Sequence, residues 1–379
     1  MKLSYGLLLS ALSALALAAP LAQDEIKQNA ASGLRLLSLE DGAEPVWKTA
    51  DEKLELMKTG TKFFDVTETY ERKQALAANK AKMVARETCL RTDPTPSHQS
   101  ELYGALNLIA AEPMQAYLDE LTSTFNNRYY NSSTGKAASD YVLKVANQFA
   151  NTHDLVSVSK FEHSGFEQYS VIARIEGSTD GPVTIIGAHL DAINSQDPVN
   201  GRAPGADDDG TGVVNLMEGM RTLINFGFAP TMPIEFHWYA AGDAGLLGSQ
   251  DVATKYAEDG IEVRGFMELE RSGYYASGTK QVIALQADNV DADLNEFVKS
   301  LVDTYADIPW VMNTPCGYAC ADHASWTAAG FAAVSPYEAI TGDDNPKAHT
   351  ENDISRGIDW GHSIQFTKLA VSFLYELAA

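Results

Sequence analysis

The 379-residue chain is 45% hydrophobic, 9% aromatic and 21% charged, which supplies apolar material for a large core and excludes disorder throughout. Its 28 Lys and Arg stand against 51 Asp and Glu, and the resulting net charge of −23 repels phosphate backbones and anionic lipid head groups. Neither nucleic acid nor a membrane surface is an expected partner.

The chain opens with Lys2, an apolar run from Leu7 to Leu17 and small residues at Ala16, Ala18 and Ala19. This pattern reads as a signal peptide over residues 1–19, because the run is shorter than the roughly 18 residues that cross a bilayer. A secreted, extracellular protein is expected. Residues 20–88 are rich in Lys, Glu, Ala and Thr, show helical periodicity around Glu52 to Lys58 and carry no metal-type cluster, so they read as a propeptide, with an N-terminal helical subdomain as the alternative. The catalytic domain is then residues 89–379. The sequon Asn131-Ser132-Ser133 marks Asn131 as a glycosylation site on the secretory route. Three cysteines cannot make a disulfide scaffold, but Cys316 and Cys320 are close enough in sequence to bridge in an oxidising compartment, leaving Cys89 odd.

From His98 onward, apolar runs alternate with helical stretches. Val183 to Ala188 and Pro233 to Ala241 read as buried strands, the second from its β-branched and aromatic content. Gly212 to Phe226 reads as a helix, with Val213, Met217, Met220 and Ile224 spaced at three or four. Such alternation predicts a single α/β/α sandwich around a mostly parallel sheet. His189 and Asp191 follow the first strand, Asp207 to Asp209 precede the helix, Asp243 follows the second strand, and Glu268 and Glu270 close Arg264 to Leu269. Open α/β sheets bind ligands beyond the carboxyl ends of their strands, where these loops converge.

Histidines and carboxylates without a thiolate suit zinc or another borderline divalent metal. One metal needs three protein ligands and an open position, so five or six ligands suggest two ions sharing a carboxylate, an arrangement suited to hydrolysis. Taken singly, a histidine after a strand is usually a polar loop residue and an Asp run a solvated turn or helix cap. In His189-x-Asp191 the carboxylate can orient the imidazole through its other ring nitrogen.

These residues resemble the motifs of the secreted co-catalytic di-zinc leucine aminopeptidases of fungi and bacteria. Gly187-Ala-His-Leu-Asp191 looks like the first metal motif of that family, Pro204-Gly-Ala-Asp-Asp-Asp-Gly-Thr-Gly212 the bridging motif, and Leu246-Leu-Gly-Ser-Gln250 the tail of the third. Cys316 to Trp326 resembles its disulfide loop and Asn345-Pro-Lys-Ala-His-Thr350 its final histidine motif. The resemblance runs from about Asn127 to Leu377. It implies a zymogen with two Zn2+ per chain: His189 and Glu270 on one ion, Asp243 and His349 on the other, and Asp208 between them. It further implies a Cys316–Cys320 bridge, a propeptide removed on maturation, and a monomer that removes N-terminal residues from peptides.

Two motifs and the expected pocket depart from the family pattern. Two adjacent glutamates normally follow the second strand, the first as general base and the second as ligand, whereas this chain has Gly242-Asp243. General-base assistance is worth about 10² to 10⁴ in rate, and glycine supplies none. Asp243 and Glu268 are the nearby carboxylates that could relay the proton instead. Aspartate followed by methionine is replaced by Glu270-Arg271, and Arg271, Tyr318, Thr341 and Asp344 fall where the substrate pocket is expected. Two expectations of different class follow: a zinc aminopeptidase of altered specificity, or a relative that binds metal or peptide without cleaving.

Overall fold

The computed structural model describes residues 21–72 and 95–379, so the signal-peptide expectation and Cys89 lie outside the described residues. The first span folds as α1 (Gln23–Ala31), β1 (Arg35–Ser38), β2 (Val46–Lys48), α2 (Ala50–Lys58) and β3 (Phe64–Asp65). Here β1 lies between β2 and β3 in a small antiparallel sheet. The periodicity at Glu52 to Lys58 belongs to α2, whose start is fixed by a reciprocal capping box between Thr49 and Glu52.

The second span begins with α3 (Gln99–Leu106), α4 (Ala111–Thr124) and α5 (Ser133–Ala150), followed by β4 (Val156–Phe161), β5 (Ser170–Ile175) and β6 (Val183–His189). A short π-turn at Ala206–Thr211 leads into α6 (Gly212–Phe226), then β7 (Ile234–Tyr239), α7 (Leu247–Glu258) and β8 (Val263–Glu268). The chain continues as β9 (Ile283–Leu285), α8 (Ala292–Tyr305), β10 (Trp310–Met312), α9 (His323–Ala329), β11 (Ala333–Val334), β12 (Pro336–Tyr337) and α10 (Trp360–Ala378).

Six strands form one sheet in the order β11-β8-β6-β7-β5-β4, and a smaller sheet runs β10-β9-β12. Strands β11, β8, β6 and β7 are parallel, but β5 runs antiparallel to β7 and β4 antiparallel to β5. The sheet is therefore mixed, with a parallel centre and an antiparallel edge at β5 and β4. The physical reason is the short 162–169 connection, which returns β5 directly alongside β4, where a parallel partner would have needed a crossover of a dozen or more residues.

Every residue of β6 and β7 is buried, as expected for strands covered on both faces. Alternate side chains enter two separate cores. Ile186, Ala188, Phe236 and Trp238 pack with α6 and α10 on one face, while Val183, Ile185 and Tyr239 pack with Val252 and Tyr256 of α7 and Trp326 of α9 on the other. At Gly187 a Cβ would stand 2.6 Å from the Tyr239 ring and 2.8 Å from that of Phe266, so only glycine lets these rings close over β6.

Candidate metal centre

Because β6, β7 and β8 are parallel, their carboxyl ends lie at one edge of the sheet and deliver His189, the Gly242–Asp243 turn and Glu270 to one place. Asp208 comes from the turn before α6 and His349 from the loop between β12 and α10. His189 Nε2 lies 3.2 Å from Asp208 Oδ1 and 3.7 Å from Glu270 Oε2. His349 Nε2 lies 2.9 Å from Asp208 Oδ2 and 3.0 Å from Asp243 Oδ1. The five residues thus form two triads, each with its donor atoms within 4.8 Å of one another, sharing Asp208.

The donors fit divalent ions. Asp208 Oδ1 and Asp243 Oδ2 are buried with no hydrogen-bond partner, an arrangement that costs about 1–3 kcal/mol or more per atom unless a cation satisfies them. Nitrogen and oxygen donors of this kind suit zinc. Burial alone would raise the Asp208 carboxyl, but Arg271 and His349 hold it well below the carboxylate range. Burial likewise opposes ionisation of Asp243, yet His349 and Lys62 help hold it down to about 2.

The supporting groups are buried and specific. Asp191 faces His189 Nδ1 at 3.3 Å and accepts hydrogen bonds from the backbone of Gly242 at 2.7 Å and Asp243 at 3.1 Å, so one carboxylate positions a ligand from each triad. Three non-glycine residues of the site, Ala241, Arg271 and His349, have φ of 56°, 50° and 58°. Such strained backbone is held only where the surroundings over-determine it.

Gly242 is packed, not merely bare. A Cβ there would stand 2.5 Å from His189 Cβ and 2.7 Å from its Cγ. The other proposed relay, Glu268, is fully buried and accepts a hydrogen bond from the His323 backbone at 2.5 Å. Burial and the Glu270 charge push its carboxyl up to about 8, and it does not line the cleft.

Arg271 does not present a free guanidinium. It donates to Asp208 Oδ2 at 2.6 Å, to Tyr337 Oη at 2.9 Å and to Asp344 Oδ2 at 3.2 Å, so Asp344 supplies the acid that a buried cation requires. Tyr318 is half-buried, with Lys62, Glu270 and Arg271 among the charges around it. Thr341 is exposed and bonded through both its backbone N and its hydroxyl to Asn313 Oδ1. Cys316 and Cys320 are bridged, and Asn131 is exposed.

Several site residues carried no motif signal. Arg128, 1% exposed, donates to the carbonyls of Leu190, Pro204 and Gly205, tying the His189 loop to the Asp208 loop. Asp353 accepts from the backbone of Asp207 and Asp208, and burial with the neighbouring Asp207 raises it to about 7. Its place four residues after His349 was the one clue in the sequence. Lys62, from the N-terminal span, enters the cleft beside His189, Asp243, Glu270 and His349.

The chain matches Peptidase family M28 over residues 170–374. It is 34% identical over 388 aligned positions to a protein named probable leucine aminopeptidase in Arthroderma otae, covering 100% of this chain and 99% of that one. A protein named leucine aminopeptidase 1 in Fusarium vanettenii is 36% identical, with 87% of this chain and 84% of that one aligned. Among solved structures, LapB from Legionella pneumophila superposes with a TM-score of 0.78 at 27% identity, covering 93% of this chain and 96% of its own.

Proposed function

The chain belongs to the zinc metallo-aminopeptidases of peptidase family M28, and from that membership we propose an extracellular enzyme that uses two zinc ions to release N-terminal residues from peptides. The observation that carries the two-ion reading is the pair of triads joined by Asp208. His189, Asp208 and Glu270 would hold one ion, and Asp208, Asp243 and His349 the other. Bound zinc supplies a water acidified towards about pKa 7 and a Lewis acid for the scissile carbonyl.

The chain's own contribution is to fix the ligands and exclude bulk water. Asp191 orients His189 and the Asp243 backbone together. Asp243, held down to about 2, remains an ionised ligand and is a poor proton acceptor. With Gly242 in place of a carboxylate, turnover is expected to be about 10² to 10⁴ below that of a relative carrying glutamate there. Arg271, anchored by Asp208, Tyr337 and Asp344, puts a paired polar cluster where an apolar wall would favour leucine, so a polar first residue is the better fit.

A second reading is favoured by one observation: at Gly242 even a Cβ would collide with His189, so the base is missing and its space is filled. On that reading the chain binds metal and peptide amino termini without cutting. The two separate in one assay. Zinc-loaded protein, before and after proteolytic removal of the N-terminal span, is given a panel of aminoacyl amides and dipeptides, with His349→Ala as the control. Slow, zinc-dependent release that His349→Ala abolishes supports the peptidase; no release from any member after the span is removed, with zinc bound, refutes it.

A further inference from the structure

The two triads are not equivalent in the intact chain. Lys62 Nζ lies 3.1 Å from His349 Nε2 and 3.6 Å from Asp243 Oδ1, within the second triad. Arg271 already engages the same outer oxygen of Asp208 that faces His349. The second triad thus has two carboxylates and two cations. The first triad also has two carboxylates, but no cation is seated among its donor atoms: among the described residues Glu270 makes no ion pair with Lys or Arg, and Asp208 Oδ1 has no hydrogen-bond partner.

Lys62 is delivered to this place by a rigid mount. Phe63 and Phe64 on its far side are buried, with Phe63 packed against Met57, Tyr129 and Ile193. Asp65 N donates to the carbonyl of Gly245, and Gln250 Nε2 donates to the carbonyls of both Asp65 and Gly245. The segment bearing Lys62 is therefore fastened to the turn that bears Asp243. A side chain so placed is not a surface lysine resting nearby.

An imidazole nitrogen has one lone pair. His349 Nε2 can accept a proton from the ammonium or ligate an ion, not both, and two cations sharing one buried oxygen cluster repel strongly at low dielectric. We propose that Lys62 and the second metal ion compete for the Asp208–Asp243–His349 triad, so that the intact chain holds one zinc, at His189, Asp208 and Glu270, and takes up a second only when Lys62 withdraws. This rests on the two-ion reading above.

The test counts ions in the full chain. Metal-free wild type, Lys62→Met and Arg271→Met are titrated with zinc by calorimetry, and bound zinc is measured by elemental analysis after gel filtration. The expected counts are one for wild type, two for Lys62→Met and one for Arg271→Met, which keeps the ammonium. Lys62→Gln takes the place of Lys62→Met if the latter does not fold. Two zinc ions in wild type, none in wild type, or no gain on removing the ammonium overturns the inference. Amide release, measured on the same samples and again after the N-terminal span is removed, keeps it distinct from the proposed activity: a second zinc with no turnover after removal sinks only the activity, and two zinc ions in the intact wild type sink only the competition.

Discussion

At Gly242 the loss of a side chain and the packing of a ligand are the same event. With a Cβ 2.5 Å from His189 Cβ, an added methyl must displace the imidazole or the turn. Overpacking of this kind costs about 1–3 kcal/mol, and spent on moving His189 it would weaken zinc binding roughly 5- to 150-fold. Gly242→Ala is therefore expected to bind zinc less tightly than wild type in a calorimetric titration; unchanged affinity would show that His189 has room to move. Putting glutamate back at 242 restores a base only if it does. Asp191 makes the complementary case, because it touches His189 and both backbone amides of the 242–243 turn yet sits in neither triad. Asp191→Asn keeps the volume but loses the charge and at least one acceptor, and a loss of about 10- to 100-fold in zinc affinity is expected from a partner of this type. A loss below twofold would assign the turn's geometry to Ser170 and Gln168, which accept from Ala240 N and Ala241 N.

Among the elements, what the sequence made legible is what local pattern controls. The helix Gly212–Phe226 was readable from apolar spacing alone, β6 from its apolar run, and β7 from its β-branched and aromatic content. The antiparallel edge of the sheet was not, since strand direction is fixed by how β5 returns alongside β4, and no residue alternation records that. The candidate ligands His189, Asp208, Asp243 and Glu270 were readable as such because each follows a strand or precedes a helix, and His349, far from either, only through the resemblance of Asn345 to Thr350, whereas Lys62 had neither signal. It sits on an irregular stretch between α2 and β3, and its meaning comes only from what the N-terminal sheet packs against. That sheet is locked by Asp65, which binds Lys53 Nζ at 2.9 Å and Arg35 Nε at 2.9 Å with its own side chain fully buried. Burial would raise the Asp65 carboxyl, but Lys53 and Arg35 outweigh it and hold the group below its ordinary value of 3.8. Its folded pKa being depressed, the stability it adds is present above 3.8 and is lost as pH falls through the lower folded value. Acid below about pH 3.8 is thus expected to loosen the N-terminal span before the sandwich, seen as earlier hydrogen exchange in residues 35–65. Asp65→Asn strands the nearly buried Lys53 and should do the same at neutral pH, at a cost of about 3–5 kcal/mol. Equal protection of that span in wild type and variant would remove Asp65 as the lock.

For the whole molecule, two cores on either side of one sheet make a stiff platform, and the cleft lies where the connection between α2 and β3 comes over its carboxyl edge. Access to the metal centre is then a matter of two fields acting together. Near the ligands, the positive charges of Lys62 and Arg271 offset the carboxylates. Further out, the net charge of −23 acts on anything that approaches. At about 0.01 M salt the Debye length is about 30 Å, so an arriving peptide meets the field of the whole molecule, and at about 0.15 M it falls to about 8 Å, leaving only the groups at the cleft. A peptide of net positive charge should therefore associate about tenfold or more faster at the lower salt, within the range known for steered encounters, while an acidic peptide should associate faster at the higher. Stopped-flow association of fluorescent peptides with the zinc-loaded chain, its N-terminal span cleaved, reads both slopes. If the two peptides respond to salt in the same direction, the distant charge does not steer, and selection of the first residue falls to Arg271 and its partners alone.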